Sequence, residues 1–192
     1  MDVDLHTGND LFLSVTRDDG TNEIVEIPHP SVGWGSGTAV LSPNQRYVAV
    51  VWDSGQSDAG YELFALQPEL RRISGLPRVH GSGAIVAFSP DERHLAMLSV
   101  AEPMLDSEVD DEEREIVWAE LRVQELPDGP ITICSVDTTM PPIEEEGSNF
   151  WYPEVLRFTS ADSLEFAGPS GVLVELDLPL PSTVEVDPPS LD

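Results

Sequence analysis

Two stretches of the chain repeat one pattern of apolar and polar positions: "GSGTAVLSPNQRYVAVV" at 35–51 and "GSGAIVAFSPDERHLAML" at 81–98. In each, a short apolar run reaches a Ser-Pro turn and a second apolar run follows. Aligned, Ser42-Pro43 falls on Ser89-Pro90, Arg46 on Arg93 and Ala49 on Ala96, 47 residues apart. A period in the forties marks a repeat architecture. The first run, "GAIVAF" in the second copy, is almost wholly apolar and predicts a strand buried on both faces. The "SPDE" that follows supplies turn chemistry, because proline fixes φ and aspartate bonds its own backbone. "HLAMLSV" then predicts a second buried strand.

More polar strands follow each pair. The first copy continues with "YELFALQP" and "RRISGLP". The second continues with "EIVWAELRVQELP", where Leu121 and Val123 alternate with Glu120, Arg122 and Gln124, and then with "GPITICSV". Alternation predicts a strand with one solvated face. Each copy thus reads as two buried strands followed by two more exposed ones. Four antiparallel strands graded in this way are the unit of a β-propeller. "VHGSGAIVAFSPDERHLAML" resembles a WD40-like or TolB-type propeller blade, with His80 ahead of the inner strand and "FSPD" leading into "LA". The resemblance spans residues 35–137. It departs from WD40 blades in one respect: Trp52-Asp53 ends the second strand, where those blades carry such a pair at the end of the third.

The flanks carry weaker copies. In "FWYPEVLRFTSADSLEFAGPSGVLVELDL", Phe158 stands near the place of Phe88, and Val172, Val174 and Leu176 alternate with Leu173, Glu175 and Asp177. Near the N-terminus, "DLFLSVTRDDGTNEIVEIP" predicts two strands around an Asp-Asp-Gly turn, comparable to the outer hairpin of a blade. The expected fold is all-β, a small or incomplete β-propeller of about three to four blades made of antiparallel meander sheets. A β-sandwich is the alternative. A single propeller-like domain is expected over 1–182; propellers often build one blade from both chain ends, and the N-terminal hairpin could complete the terminal blade in that way. A proline-rich acidic tail follows over 183–192, with room for a short strand at Thr183–Val186.

Charge changes the picture of partners rather than of fold. The chain has 36 acidic residues against nine basic ones, all nine of them arginine, for a formal charge of -27. Such a field repels nucleic-acid phosphates and anionic lipid, and it attracts cationic proteins or metal ions. No apolar run is long enough to span a membrane. "MDVDLHTGND" has acids where a signal peptide needs positive charge, so a cytoplasmic location is expected. Selection for a high-salt cytoplasm, or a GC-rich genome, would give the same lysine-free acidity.

Motifs for chemistry are scarce. "GWGSG" and "HGSGA" fail the G-x-S-x-G pattern of a nucleophile elbow, and no P-loop, dinucleotide fingerprint or H-E-x-x-H occurs. Cys134, in "ITICSVD", reads as a small buried hydrophobe. His6, His29, His80 and His94 are scattered and give no zinc ligand set. No cofactor is expected. Asp106, Glu108 and Asp110 have the spacing of the first ligands of a calcium loop, but Asp111 stands where that loop needs glycine.

The acids concentrate in "AEPMLDSEVDDEEREI", with Asp106, Glu108, Asp110, Asp111, Glu112 and Glu113, and in Glu144, Glu145 and Glu146, which precede Trp151. In a meander, the loop after the second strand and the loop after the fourth leave by the same end of the sheet. These ten residues are therefore expected to form one acidic, aromatic-bearing face for a basic protein partner. The expected function is a non-catalytic protein-interaction module, such as an inhibitor or immunity protein or a scaffold subunit. Two alternatives are a divalent-metal-dependent enzyme that uses the loop carboxylates and an interaction domain whose acidity only maintains solubility in salt.

Overall fold

The computed structural model describes residues 1–6, 11–27, 36–53, 58–75, 79–80, 82–100, 114–140 and 154–187. Within these residues the chain is all-β, with no helix. It divides into two compact units, Met1–Ser82 and Gly83–Asp192.

In the first unit, β1 (Asp2–His6), β2 (Leu11–Thr16) and β3 (Asn22–Ile27) form an antiparallel sheet in that order. The Asp-Asp-Gly signal makes the β2–β3 turn. Gly20 takes φ +84°, which side-chain-bearing residues rarely adopt, and its N–H donates to Arg17 O at 2.9 Å. A second meander runs β4 (Ser36–Leu41), β5 (Tyr47–Asp53), β6 (Asp58–Ala65) and β7 (Arg71–Gly75), with the short β8 (Val79–His80) also pairing β6. The inward residues of the two sheets alternate along the strands, as half-buried strands require. Leu11, Leu13, Val15 and Ile27 pack against Val48, Val50, Trp52, Phe64 and Leu66.

The second unit repeats the plan. Here β9 (Ser82–Phe88), β10 (His94–Val100), β11 (Arg114–Glu125) and β12 (Ile131–Met140) form a meander. The strands β13 (Leu156–Phe158), β14 (Ser163–Ala167) and β15 (Leu173–Asp177) form a separate three-stranded sheet. Leu98, Leu121, Cys134 and Val136 pack against Leu164 and Phe166. The tail stretch Thr183–Val186 is a strand, β16, lying parallel to β12, and the Thr138 hydroxyl donates to Val186 O at 3.1 Å. Val184 and Val186 join the core.

The repeated phrase folds the same way twice. The N–H groups of Tyr47 and His94 donate to the buried hydroxyls of Ser42 and Ser89, at 3.0 and 2.9 Å. Gln45 and Glu92 both take positive φ, 55° and 57°. Leu66 N–H donates to Arg46 O, and Leu126 N–H donates to Arg93 O, so each turn also holds the chain leaving the third strand.

Burial corrects two sequence expectations. The first strand of each copy is an edge strand and only half-buried, with Leu41 39% exposed. The second and third strands carry the core, and along β6 every residue from Gly60 to Ala65 is buried. A strand with a neighbour on one side only leaves its outer edge to solvent, whatever its sequence. Gln124, expected on a wet face, is buried. β2 and β3 pair with each other and β2 with β1, so the N-terminal hairpin is part of a three-stranded sheet.

One close approach sets a constraint on the first unit. Trp52 pairs across the sheet with Gly60, and a Cβ on Gly60 would lie 2.6 Å from the buried indole ring. Gly60→Ala is therefore expected to cost about 1–3 kcal/mol through forced repacking, read as a lowered urea midpoint. An unchanged midpoint would show that the indole moves freely.

Candidate functional site

Asp106, Glu108, Asp110, Asp111, Glu112, Glu113, Glu144, Glu145, Glu146 and Trp151 all lie outside the described residues. What the structure does place is the framework from which they depart. Strand β10 ends at Val100, β11 starts at Arg114 and β12 ends at Met140, with Arg114 paired to Met140 and Val100 to Ala119. Antiparallel pairing brings these three strand ends to one end of the sheet. In the first unit, β5 ends at Asp53 and β6 starts at Asp58, whose register partner is His80.

Arg17, Arg93, Arg122 and Arg157 are engaged by acids close at hand. Arg17 meets Glu23 at 2.5 Å and also donates to Leu66 O, while Glu23 accepts the Leu70 N–H. These contacts hold the carboxyl of Glu23 below its usual range, the Arg17 bond contributing most. Arg122 pairs with Glu120, and Arg157 with Glu165. Arg93 pairs with Asp91 and lies 3.5 Å from Asp162. The guanidinium of Arg93, and then the Ser89 hydroxyl, hold the Asp91 carboxyl down at about 2. The chain as a whole has 36 acids against nine arginines.

Sequence reading missed Glu62. It is buried on β6, on the same face as Val50, which it pairs directly. Arg72 grips it with two bonds, Nε to Oε2 at 2.5 Å and Nη2 to Oε1 at 2.6 Å. Burial raises the Glu62 carboxyl above its usual range, and Arg72 opposes that rise without cancelling it. The signal lay in the apolar run around it, where an isolated acid needs a cation.

No protein-family model and no curated protein matches the chain. Among solved structures, it is similar to a prolyl endopeptidase (16% identity, TM-score 0.48), covering 82% of this chain and 22% of that one. It is also similar to hydrazine synthase of Kuenenia stuttgartiensis (13% identity, TM-score 0.46), covering 89% of this chain and 47% of the other. A third similarity is to TolB from Acinetobacter baumannii (13% identity, TM-score 0.40), covering 88% and 35%. The chain therefore spans less than half the length of each of these proteins. Similarity at this level assigns no chemistry.

Cys134 and His94 are packed against the core and a neighbouring ring. Cys134 is fully buried, and burial pushes its thiol up, away from the reactive thiolate. His94 stacks on Phe158, with centroids 6.3 Å apart and rings 16° from parallel. His6 is exposed on β1. Among the described residues no group of three or more His, Cys, Asp or Glu side chains is arranged to hold a metal ion.

The outer face of β13–β15 is charged in rows. Arg157, Glu165 and Glu175 lie opposite one another across the three strands. Thr159 donates to Glu175 at 3.3 Å and Ser163 to Asp177 at 2.5 Å. Beside them Leu173 is 50% exposed and Val172 54%.

Proposed function

We propose that the chain is a non-catalytic interaction module of propeller-like, blade-type meanders that binds a basic protein. The supporting observation is the pattern of charge engagement. Arg17, Arg72, Arg93, Arg122 and Arg157 are each held by a carboxylate, so only four of the nine arginines are left against the other acids of the chain. A field of one sign steers an oppositely charged partner and suppresses like-charged ones. The candidate contact face comprises Asp106, Glu108, Asp110–Glu113, Glu144–Glu146 and Trp151, because the connections that carry them leave one end of the β9–β12 sheet. A cytoplasmic location belongs to the same reading.

The test is the association rate with a poly-arginine peptide as ionic strength rises. The loop variant changes Asp106, Glu108, Asp110, Asp111, Glu112 and Glu113 to Asn or Gln. A charge-matched control changes the exposed Asp4, Glu26, Glu69, Asp128, Glu154 and Glu185 in the same way. At low salt the loop variant should associate about tenfold more slowly than the control, and the gap should close as the Debye length falls to about 3 Å at 1 M salt. Coincident curves for the two variants would sink the loop face as the contact for a basic partner.

A further inference from the structure

We propose that β15 is a strand-addition site for an extended basic segment of a partner protein. The inference rests on the reading that the partner is basic, and it places one contact on a described part of the fold.

Hydrogen-bond phase decides which backbone groups of β15 face outward. Gly168 N–H donates to Val172 O at 3.0 Å, and Leu178 N–H donates to Asp162 O at 2.8 Å. Between these ends the register pairs Phe166 with Val174 and Leu164 with Leu176. In an antiparallel ladder, bonded pairs recur every second residue. The pairs 168–172, 166–174, 164–176 and 162–178 are therefore the bonded ones. It follows that the backbone N–H and C=O groups of Leu173, Glu175 and Asp177 turn away from β14. β15 is the last strand of its sheet, so among the described strands none meets these groups.

The side chains of the same three residues are exposed and share the outer face, while Val174 and Leu176 pack on the core. Across that face, Arg157 neutralises Glu165, and Glu175 is directly opposite Glu165. Like charges in that arrangement repel. Glu175 and Asp177 form no ion pair among the described residues; their partners there are the hydroxyls of Thr159 and Ser163. The row Arg157–Glu165–Glu175 thus lacks a cation on its open side.

Charge selects the occupant. A second copy of β15 paired antiparallel about Glu175 would set Glu175 against Glu175 and Leu173 against Asp177. Edge acids of this kind oppose self-pairing. An incoming antiparallel strand fits when it carries an apolar side chain opposite Leu173 and basic ones opposite Glu175 and Asp177. Read from its N-terminus, that strand is basic, any, basic, any, apolar. Main-chain bonds hold it, and the alternate side chains set its identity.

The experiment measures binding of the peptide Thr-Arg-Thr-Arg-Thr-Val-Thr by fluorescence anisotropy. Glu175→Lys should weaken it about tenfold, the combined effect of losing one cross-strand pair and gaining a repulsion. The same variant should bind better than wild type to a peptide with Glu in place of both Arg. N-methylation of the two Arg and the Val should abolish binding, because it blocks the bonds to the edge without altering charge. Equal binding of the N-methylated peptide, or indifference to Glu175→Lys and to the milder Glu175→Gln, would overturn the inference. If the peptide responds to the 106–113 loop variant and not to Glu175, the edge site falls while the basic-partner reading stands. If the edge variants act as expected and the poly-arginine curves coincide, the loop face falls and the edge site stands. Thermal melts confirm that each variant folds.

Discussion

Replacing Phe166 by alanine should lower the stability of the unit that contains it by about 3–5 kcal/mol. The ring is fully buried on β14, in one core with Leu98, Leu121, Val136 and Leu164. Alanine removes the ring's transfer free energy and leaves a hole that paired strands close only in part. Phe166→Leu should cost markedly less, since it retains most of the volume. Urea denaturation reads the difference, and amide exchange along β11 and β14 should quicken in the alanine variant. A loss under 1 kcal/mol would show that the two sheets settle together over the gap.

The second large effect is expected at Glu62. Arg72→Met strands a buried carboxylate, and breaking a fully buried pair costs about 3–5 kcal/mol. Arg72 is half exposed, so water shares the loss, and about 2–3 kcal/mol is expected. The double substitution Glu62→Leu, Arg72→Met should recover most of it, because no charge is then left buried. The pH dependence has a definite sign. Burial puts the folded-state value of Glu62 above its ordinary 4.5, so the folded protein holds this proton more tightly than the unfolded chain. The contribution of the protonated group is whole below 4.5 and is lost as pH rises through the raised value. Without Arg72 that rise is larger. The deficit of Arg72→Met should therefore be smallest in acid and grow toward neutral pH. A deficit independent of pH would show that Glu62 is ionised throughout, or that the loss is one of packing.

Asp91 titrates in the opposite sense. Arg93 and Ser89 lower it, so its contribution is whole above 3.8 and is lost as pH falls through about 2. Acid thus relieves Glu62 over a range in which Asp91 is still only partly protonated.

The repeated turns were legible because their chemistry is local. A buried serine that accepts its own turn's N–H, followed by proline, needs nothing distant to fold. The all-β class was legible for the same reason, from alternation and from turn residues. Burial of individual strands was not. "GAIVAF" is apolar enough for a central strand, yet it lies at a sheet edge, and position in a sheet is set by pairings remote in sequence. β1 was missed because "DVDLH" opens with acids, although its alternation of exposed and half-buried residues is that of a strand on a core. Alternation along β15 was visible, but the open side of that strand was not, since no local pattern states which neighbour is missing. Glu62 escaped for a related reason: its partner Arg72 lies on another strand, across a register shift between Leu63 and Phe64.

The parallel ladder of β12 and β16 has a consequence for a chain still on the ribosome. Thr138 and Val186, joined in the finished fold, are 48 residues apart in sequence. At a synthesis rate of about 5–20 residues per second, β12 emerges several seconds before the strand that covers it. For that interval Ser135 and Asp137 present bare backbone donors and acceptors beside the exposed Ile131 and Ile133. Slower translation over 139–182 lengthens that exposure, and a nascent chain arrested before Thr183 carries the open edge to whatever strand meets it first.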